Sequence, residues 1–183
     1  MVVMPSAQGA LSWSRKTPNV VTLADEYNLP LRDKSIDYVL IAHTLEYTPH
    51  VDEVLKEAWR VLADGGRLVV VVPNRRGIWP RFDNTPFGHG IPYTPGQLKD
   101  LLKKNLFTPL RTDYALYVPP SHSRVLLATS LAWDNLGHRW FRHLSGVIVC
   151  EAVKQVYGGI LGKSVKWSDQ FKMPKPYVVS PEV

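Results

Sequence analysis

Residues 38–42 and 68–72 form two unbroken apolar runs, Tyr-Val-Leu-Ile-Ala and Leu-Val-Val-Val-Val, and the chain between them dictates how they pair. A run that is apolar at every position marks a strand covered on both faces, as in a parallel sheet. Between the runs, Val51, Val54, Leu55, Ala58, Trp59 and Leu62 recur at helical spacing and share one face. Thr48 and Pro49 read as the N-cap and first residue of that helix. Asp52 and Glu53 follow in its first turn, where the helix dipole favours negative charge. Gly65 and Gly66 read as its end and as the turn into the second run. A strand–helix–strand crossover is the unit from which parallel α/β sheets are built.

The flanks extend the pattern. Residues 19–24 predict a short strand that ends before Asp25, and 110–118 and 147–157 predict two more. Thr94, Pro95 and Gln97 form a capping box with proline at the first helical position, opening a helix that carries Leu98, Leu101 and Leu102. Residues 122–143 read as mainly helical, with a break near Gly137, and by composition 161–183 form a tail behind a single domain over 1–160. A chain of 183 residues with 45% hydrophobic content can bury a sizeable core. No apolar run approaches the ~20 residues that span a bilayer. The start has neither a basic region nor a long apolar one, so no signal peptide is read, and a cytoplasmic protein is expected. Cys150, the single cysteine, follows Val147, Ile148 and Val149, which predicts a buried strand thiol. The net charge of +6 is spread along the chain. Solvated surface charge accounts for it more simply than a nucleic-acid patch does, although RNA stays open as a partner.

Three strand ends carry the chemistry. Asp25, Glu26 and Leu29-Pro30 follow the first; Ala42-His43-Thr44-Leu45-Glu46 follow the second; Asn74 and a Gly/Pro/Arg-rich segment with Gly88-His89-Gly90 follow the third. With Ser35-Ile36-Asp37-Tyr38-Val39, Glu57-x-x-Arg60-Val61-Leu62, Asp64-Gly65-Gly66 and Pro73-Asn74, this series resembles the central half of class I S-adenosylmethionine-dependent methyltransferases of the type 11 kind. A closer resemblance, over roughly residues 4–157, is to a little-characterised alphaproteobacterial group of such enzymes.

The resemblance implies an α/β, Rossmann-like sheet, mostly parallel with antiparallel C-terminal strands, in the order 3-2-1-4-5-7-6. It implies S-adenosylmethionine as cofactor, with Asp25 accepting a hydrogen bond from the adenine amino group and Leu29 against the ring. Glu26, Ala42, His43 and Leu45 complete the expected cofactor contacts, while His43 and His89 are the candidate bases. Glu57 and Arg60 are expected to tie helix to loop. In the family a first strand and a glycine-rich loop precede this segment. The expectation is therefore an N-terminally truncated domain, inactive or weak alone, whose 38–42 strand presents an open apolar edge to a second copy or a partner chain. The alternative is a non-catalytic module that keeps the fold and binds a protein or RNA partner. Gly158 to Ser164 imitate a phosphate loop but have three residues between the glycines where a P-loop has four. No Asn-Pro-Pro-Tyr/Phe follows residues 38–42, which speaks against adenine-N6 and glutamine-amide methyltransferases.

Overall fold

The structure is a computed structural model, described over residues 1–5, 21–77, 79–81, 90–117 and 144–156. Its elements run β1 (Val2–Pro5), β2 (Val21–Ala24), β3 (Ile36–Ala42), α1 (Val51–Val61), β4 (Leu62–Pro73), α2 (Pro95–Lys104), β5 (Phe107–Ala115) and β6 (Val147–Lys154), with a 3₁₀ turn over Trp79–Arg81. Strands β1 and β2 pair in parallel as one small sheet; the other four form a second sheet in the order β3-β4-β6-β5.

The expected crossover is present: β3 and β4 are parallel, with Val39 opposite Leu68 and Ile41 opposite Val70. Strand β6 runs antiparallel to both β4 and β5, as the resemblance implied for the C-terminal strands. Leu68, Val70 and Val72 of β4 are fully buried; with Leu55 and Ala58 of α1 and Leu98 and Leu102 of α2 they make the core. Cys150 lies in that core, and burial pushes its thiol up. The thiol therefore stays protonated and is a packing group.

Helix α1 starts two residues later than the sequence suggested. Its N-cap is His50, without a side-chain bond, because the Thr48 hydroxyl pairs with the Tyr27 hydroxyl at 2.6 Å and accepts from the His50 amide at 3.3 Å. The helix also ends before the diglycine. Leu62 turns extended at once, pairs with Ile36, and gives its carbonyl to the buried Lys154 ammonium at 2.7 Å. Gly65, at φ 76°, serves instead as a bend within β4. Helix α2 carries the expected capping box in full: Thr94 Oγ1 accepts from the Gln97 amide at 3.2 Å, and Gln97 Oε1 accepts from the Thr94 amide at 3.0 Å. Strand β5 is displaced toward the N-terminus of its expected range, with an irregular register between Pro109 and Arg111 where proline cannot donate to the ladder. The helix expected over 122–143 and the tail lie outside the described residues.

Candidate functional site

The carboxyl end of β2 leads into a loop that α1 holds from below. Asp25 Oδ1 accepts from the Tyr27 amide at 2.9 Å, and the Asn28 amide donates to the Asp25 carbonyl at 3.1 Å, so Asp25 forms a local turn. The Leu29 amide then donates to Glu57 Oε1 at 2.7 Å. Arg60 donates to the Leu31 carbonyl at 2.9 Å, to the Leu29 carbonyl at 3.1 Å, to both Glu57 oxygens at 2.9 and 2.6 Å, and to the Asp33 carboxylate. The Arg60 hydrogen bond holds the Glu57 carboxyl below the usual range against the opposing effect of burial. The Glu57–Arg60 pair thus ties helix to loop, and the loop it fixes carries Glu26, Leu29 and Leu31.

The carboxyl end of β3 is built differently. His43 has φ 54°, a left-handed backbone that costs a non-glycine residue about 1–3 kcal/mol. Its amide still donates to the Val71 carbonyl at 3.0 Å, which continues the β3–β4 ladder through the bend. Its ring Nδ1 lies 2.8 Å from Glu46 Oε1. The Glu46 side chain is 1% exposed, and its Oε2 has no hydrogen-bond partner among the described residues. A second segment fixes this turn from the other side. The Ile91 amide donates to the Glu46 carbonyl at 2.9 Å, and the Tyr93 hydroxyl donates to the Leu45 carbonyl at 3.0 Å. Burial, and then the Glu46 charge, push the Tyr93 hydroxyl up. A Cβ on Gly90 would stand 2.8 Å from Glu46 Cγ, so glycine permits this close approach.

Both strand ends open on one cavity of about 620 Å³, a volume in the range of small-molecule sites. Of the residues singled out in the sequence, it brings together Glu26, Leu29, Ala42 and His43. Asp25 is exposed and outside the lining, and Leu45 is buried in the core beneath it. His89 and the segment 82–89 lie outside the described residues. Sequence reasoning missed two contributors. One is the part that β1 plays in the cavity wall, which it shares with β3. The other is Glu46 as the buried partner of His43, for which the His-x-x-Glu spacing was the available signal. No helix among the described residues is long and apolar enough to cross a membrane.

The crevice at the carboxyl ends of parallel strands, flanked by antiparallel C-terminal strands, fits a class I methyltransferase fold. Comparison with known proteins agrees. The family model "Methyltransferase domain" matches residues 4–70. The chain is 49% identical over 47 residues to the uncharacterized protein YafS of Escherichia coli K12, covering 26% of this chain and 20% of that one. It is 44% identical over 46 residues to the ubiquinone/menaquinone biosynthesis C-methyltransferase UbiE of Bartonella tribocorum, covering 25% and 18%. The solved structure of a methyltransferase from Thermotoga maritima superposes with a TM-score of 0.57 at 21% identity, covering 75% of this chain and 65% of that one. The segment shared with the curated relatives spans about a fifth of their length. The chain carries a methyltransferase-domain segment within a class I fold, and the cofactor of that class is S-adenosylmethionine.

Proposed function

We propose that the protein transfers a methyl group from S-adenosylmethionine to an unidentified acceptor, with the cavity between β1, β3 and the 26–31 loop as its site. The observation that carries this reading is the convergence of Glu26, Leu29, Ala42 and His43, which follow two different strands, on one cavity. When bound, the cofactor supplies an electrophilic methyl group. The residues present suit such a ligand. Leu29 and Leu31 offer an apolar wall for a purine ring, Glu26 an acceptor for its hydroxyl or amino groups, and Ala42 a small side chain where backbone and ligand must approach. Asp25 contributes through the turn that sets Glu26. His43 stands where an acceptor would enter, with His89 as a second candidate base. Holding donor and acceptor in line is the main task, and effective-molarity gains alone supply about 7–11 kcal/mol.

Affinity of the isolated chain is expected to be weak. No glycine among the described residues lines the cavity, so none gives the close backbone approach of a glycine-rich loop. Titration of the ¹⁵N-labelled chain with S-adenosylmethionine tests the site: amide shifts concentrated at Glu26, Leu29, Ala42 and His43 support it. Shifts elsewhere, or none at millimolar ligand, sink it. Calorimetry giving micromolar affinity would overturn the weak-binding expectation alone.

A second reading, a module that binds a partner strand, has its own observation. Among the described residues β1 and β3 each pair with one strand only, and Tyr38 and Leu40 are 68% and 65% exposed. The occupant that suits two main-chain edges and an apolar lining is an extended apolar segment that continues both ladders. Amide-exchange protection spreading over β1 and β3 on mixing with a partner chain, with no response to S-adenosylmethionine, would favour it.

A further inference from the structure

The turn after β3 assigns a role to a residue that packing alone leaves unexplained. Glu46 is almost wholly buried, yet only one of its carboxylate oxygens has a hydrogen-bond partner among the described residues, and that partner is an imidazole. A carboxylate buried for structure alone would be expected to have both oxygens satisfied. The strain points the same way. His43 adopts a left-handed backbone, and this conformation brings its Nδ1 to 2.8 Å from Glu46 Oε1. Three contacts from one neighbouring segment then leave Glu46 little room to move: the Ile91 amide on its carbonyl, the Tyr93 hydroxyl on the carbonyl before it, and the backbone of Gly90 against its side chain.

We propose that Glu46 is a positioning residue, whose carboxylate accepts a hydrogen bond from Nδ1–H of His43 and thereby makes Nε2 the proton-accepting nitrogen at the cavity wall. The proposal rests on the methyl-transfer reading above and adds the class of acceptor: one that carries a hydroxyl or amine proton. A carboxylate accepts only, so the contact requires the proton on Nδ1 and places the ring's basic lone pair on Nε2. In the step itself, the acceptor's proton moves to Nε2 and its electron pair stays on the acceptor heteroatom. The ring becomes an imidazolium, and its new charge faces the Glu46 carboxylate. An acceptor already anionic, or one methylated at sulfur without losing a proton, would have no use for the pair.

The test is the imidazole tautomer, read from ¹⁵N shifts of histidine-labelled full chain at a pH where the ring is neutral. The wild type is expected to hold His43 almost entirely as the Nδ1–H form. Glu46→Gln keeps the shape but offers both a donor and an acceptor, so the ratio should fall several-fold toward a mixture. A wild-type ring dominated by Nε2–H, or a ratio unmoved by Glu46→Gln, overturns the proposal. The wild-type spectrum alone is decisive should the variant fail to fold. Gly90→Ala supplies a second check, because its methyl pushes on Glu46 without removing the carboxylate; the ratio should move in the same direction by less. Where methyl transfer to a hydroxyl or amine acceptor is measured, Glu46→Gln should lower kcat about 10- to 100-fold with KM little changed. The S-adenosylmethionine titration reports separately: its failure beside an Nδ1–H ring would remove the methyl-transfer reading and leave the His43–Glu46 geometry standing.

Discussion

Two buried glutamates sit beside the same cavity, and their surroundings differ. Glu57 accepts from the Leu29 amide and from two nitrogens of Arg60, so both of its oxygens are engaged. Glu46 has one oxygen on a half-exposed histidine and the other unpartnered among the described residues. The first arrangement fixes a loop and leaves nothing over for chemistry. The second sits on a strained backbone with an unfilled acceptor, a state that proteins tend to keep at working sites. Burial alone does not separate these roles, since both carboxylates are nearly covered. The saturation of their hydrogen bonds does.

The largest effect should come from breaking the saturated side. Glu57→Ala strands the Leu29 amide and takes from Arg60 its main partner; a loss of about 2–3 kcal/mol in chemical denaturation is expected. The same residue sets an acid limit. Its folded-state pKa is lowered, so its contribution is fully present above the unfolded value near 4.5 and is lost as pH falls through the folded value. Stability of the wild type should therefore decline below about pH 4.5 more steeply than that of Glu57→Gln. Parallel declines would remove Glu57 from the account.

Gly90→Ala comes next and falls on the unsaturated side. The added methyl meets Glu46 Cγ and Cβ at 2.8 and 2.9 Å, and an overpacked site of this kind costs about 1–3 kcal/mol. The destabilisation should be accompanied by the tautomer change at His43. A stability loss without that change would mean that the 90–93 segment relaxes away from the turn and does not hold it.

The two regions were unequally legible in the sequence. The structural role of Glu57 and Arg60 was legible through the family resemblance; helix spacing allows the two to pair but does not name their loop partners, Leu29 and Leu31. The crossover was legible from the residues themselves, because residues 38–42, α1 and residues 68–72 each declare their own period. The His43–Glu46 contact depends on a positive φ at histidine, which no residue type announces, and on Gly90 and Ile91, which are more than 40 positions away. The cavity needed β1 and β3, far apart in sequence, to face each other, and no local pattern reports that. Thr48 was misread as a cap because its competitor, the Tyr27 hydroxyl, is 21 residues distant. Periodicity reports what an element is; it does not report which remote group claims a polar atom.

The smallest effect on stability should come from Glu46→Gln, and its smallness is the point of the comparison. Removing a charge from a saturated network leaves donors stranded. Glu46, however, receives a single side-chain hydrogen bond among the described residues, and a glutamine carbonyl can accept that bond again. The isosteric change also removes a buried charge whose second oxygen gains nothing from its surroundings. The net cost should therefore stay under about 1 kcal/mol, set against about 2–3 for Glu57→Ala. The change should nevertheless alter the ring of His43 more than any other substitution that leaves the fold intact. If Glu46→Gln instead costs as much as Glu57→Ala, Glu46 is a structural anchor like its neighbour, and the saturation of hydrogen bonds does not distinguish the two.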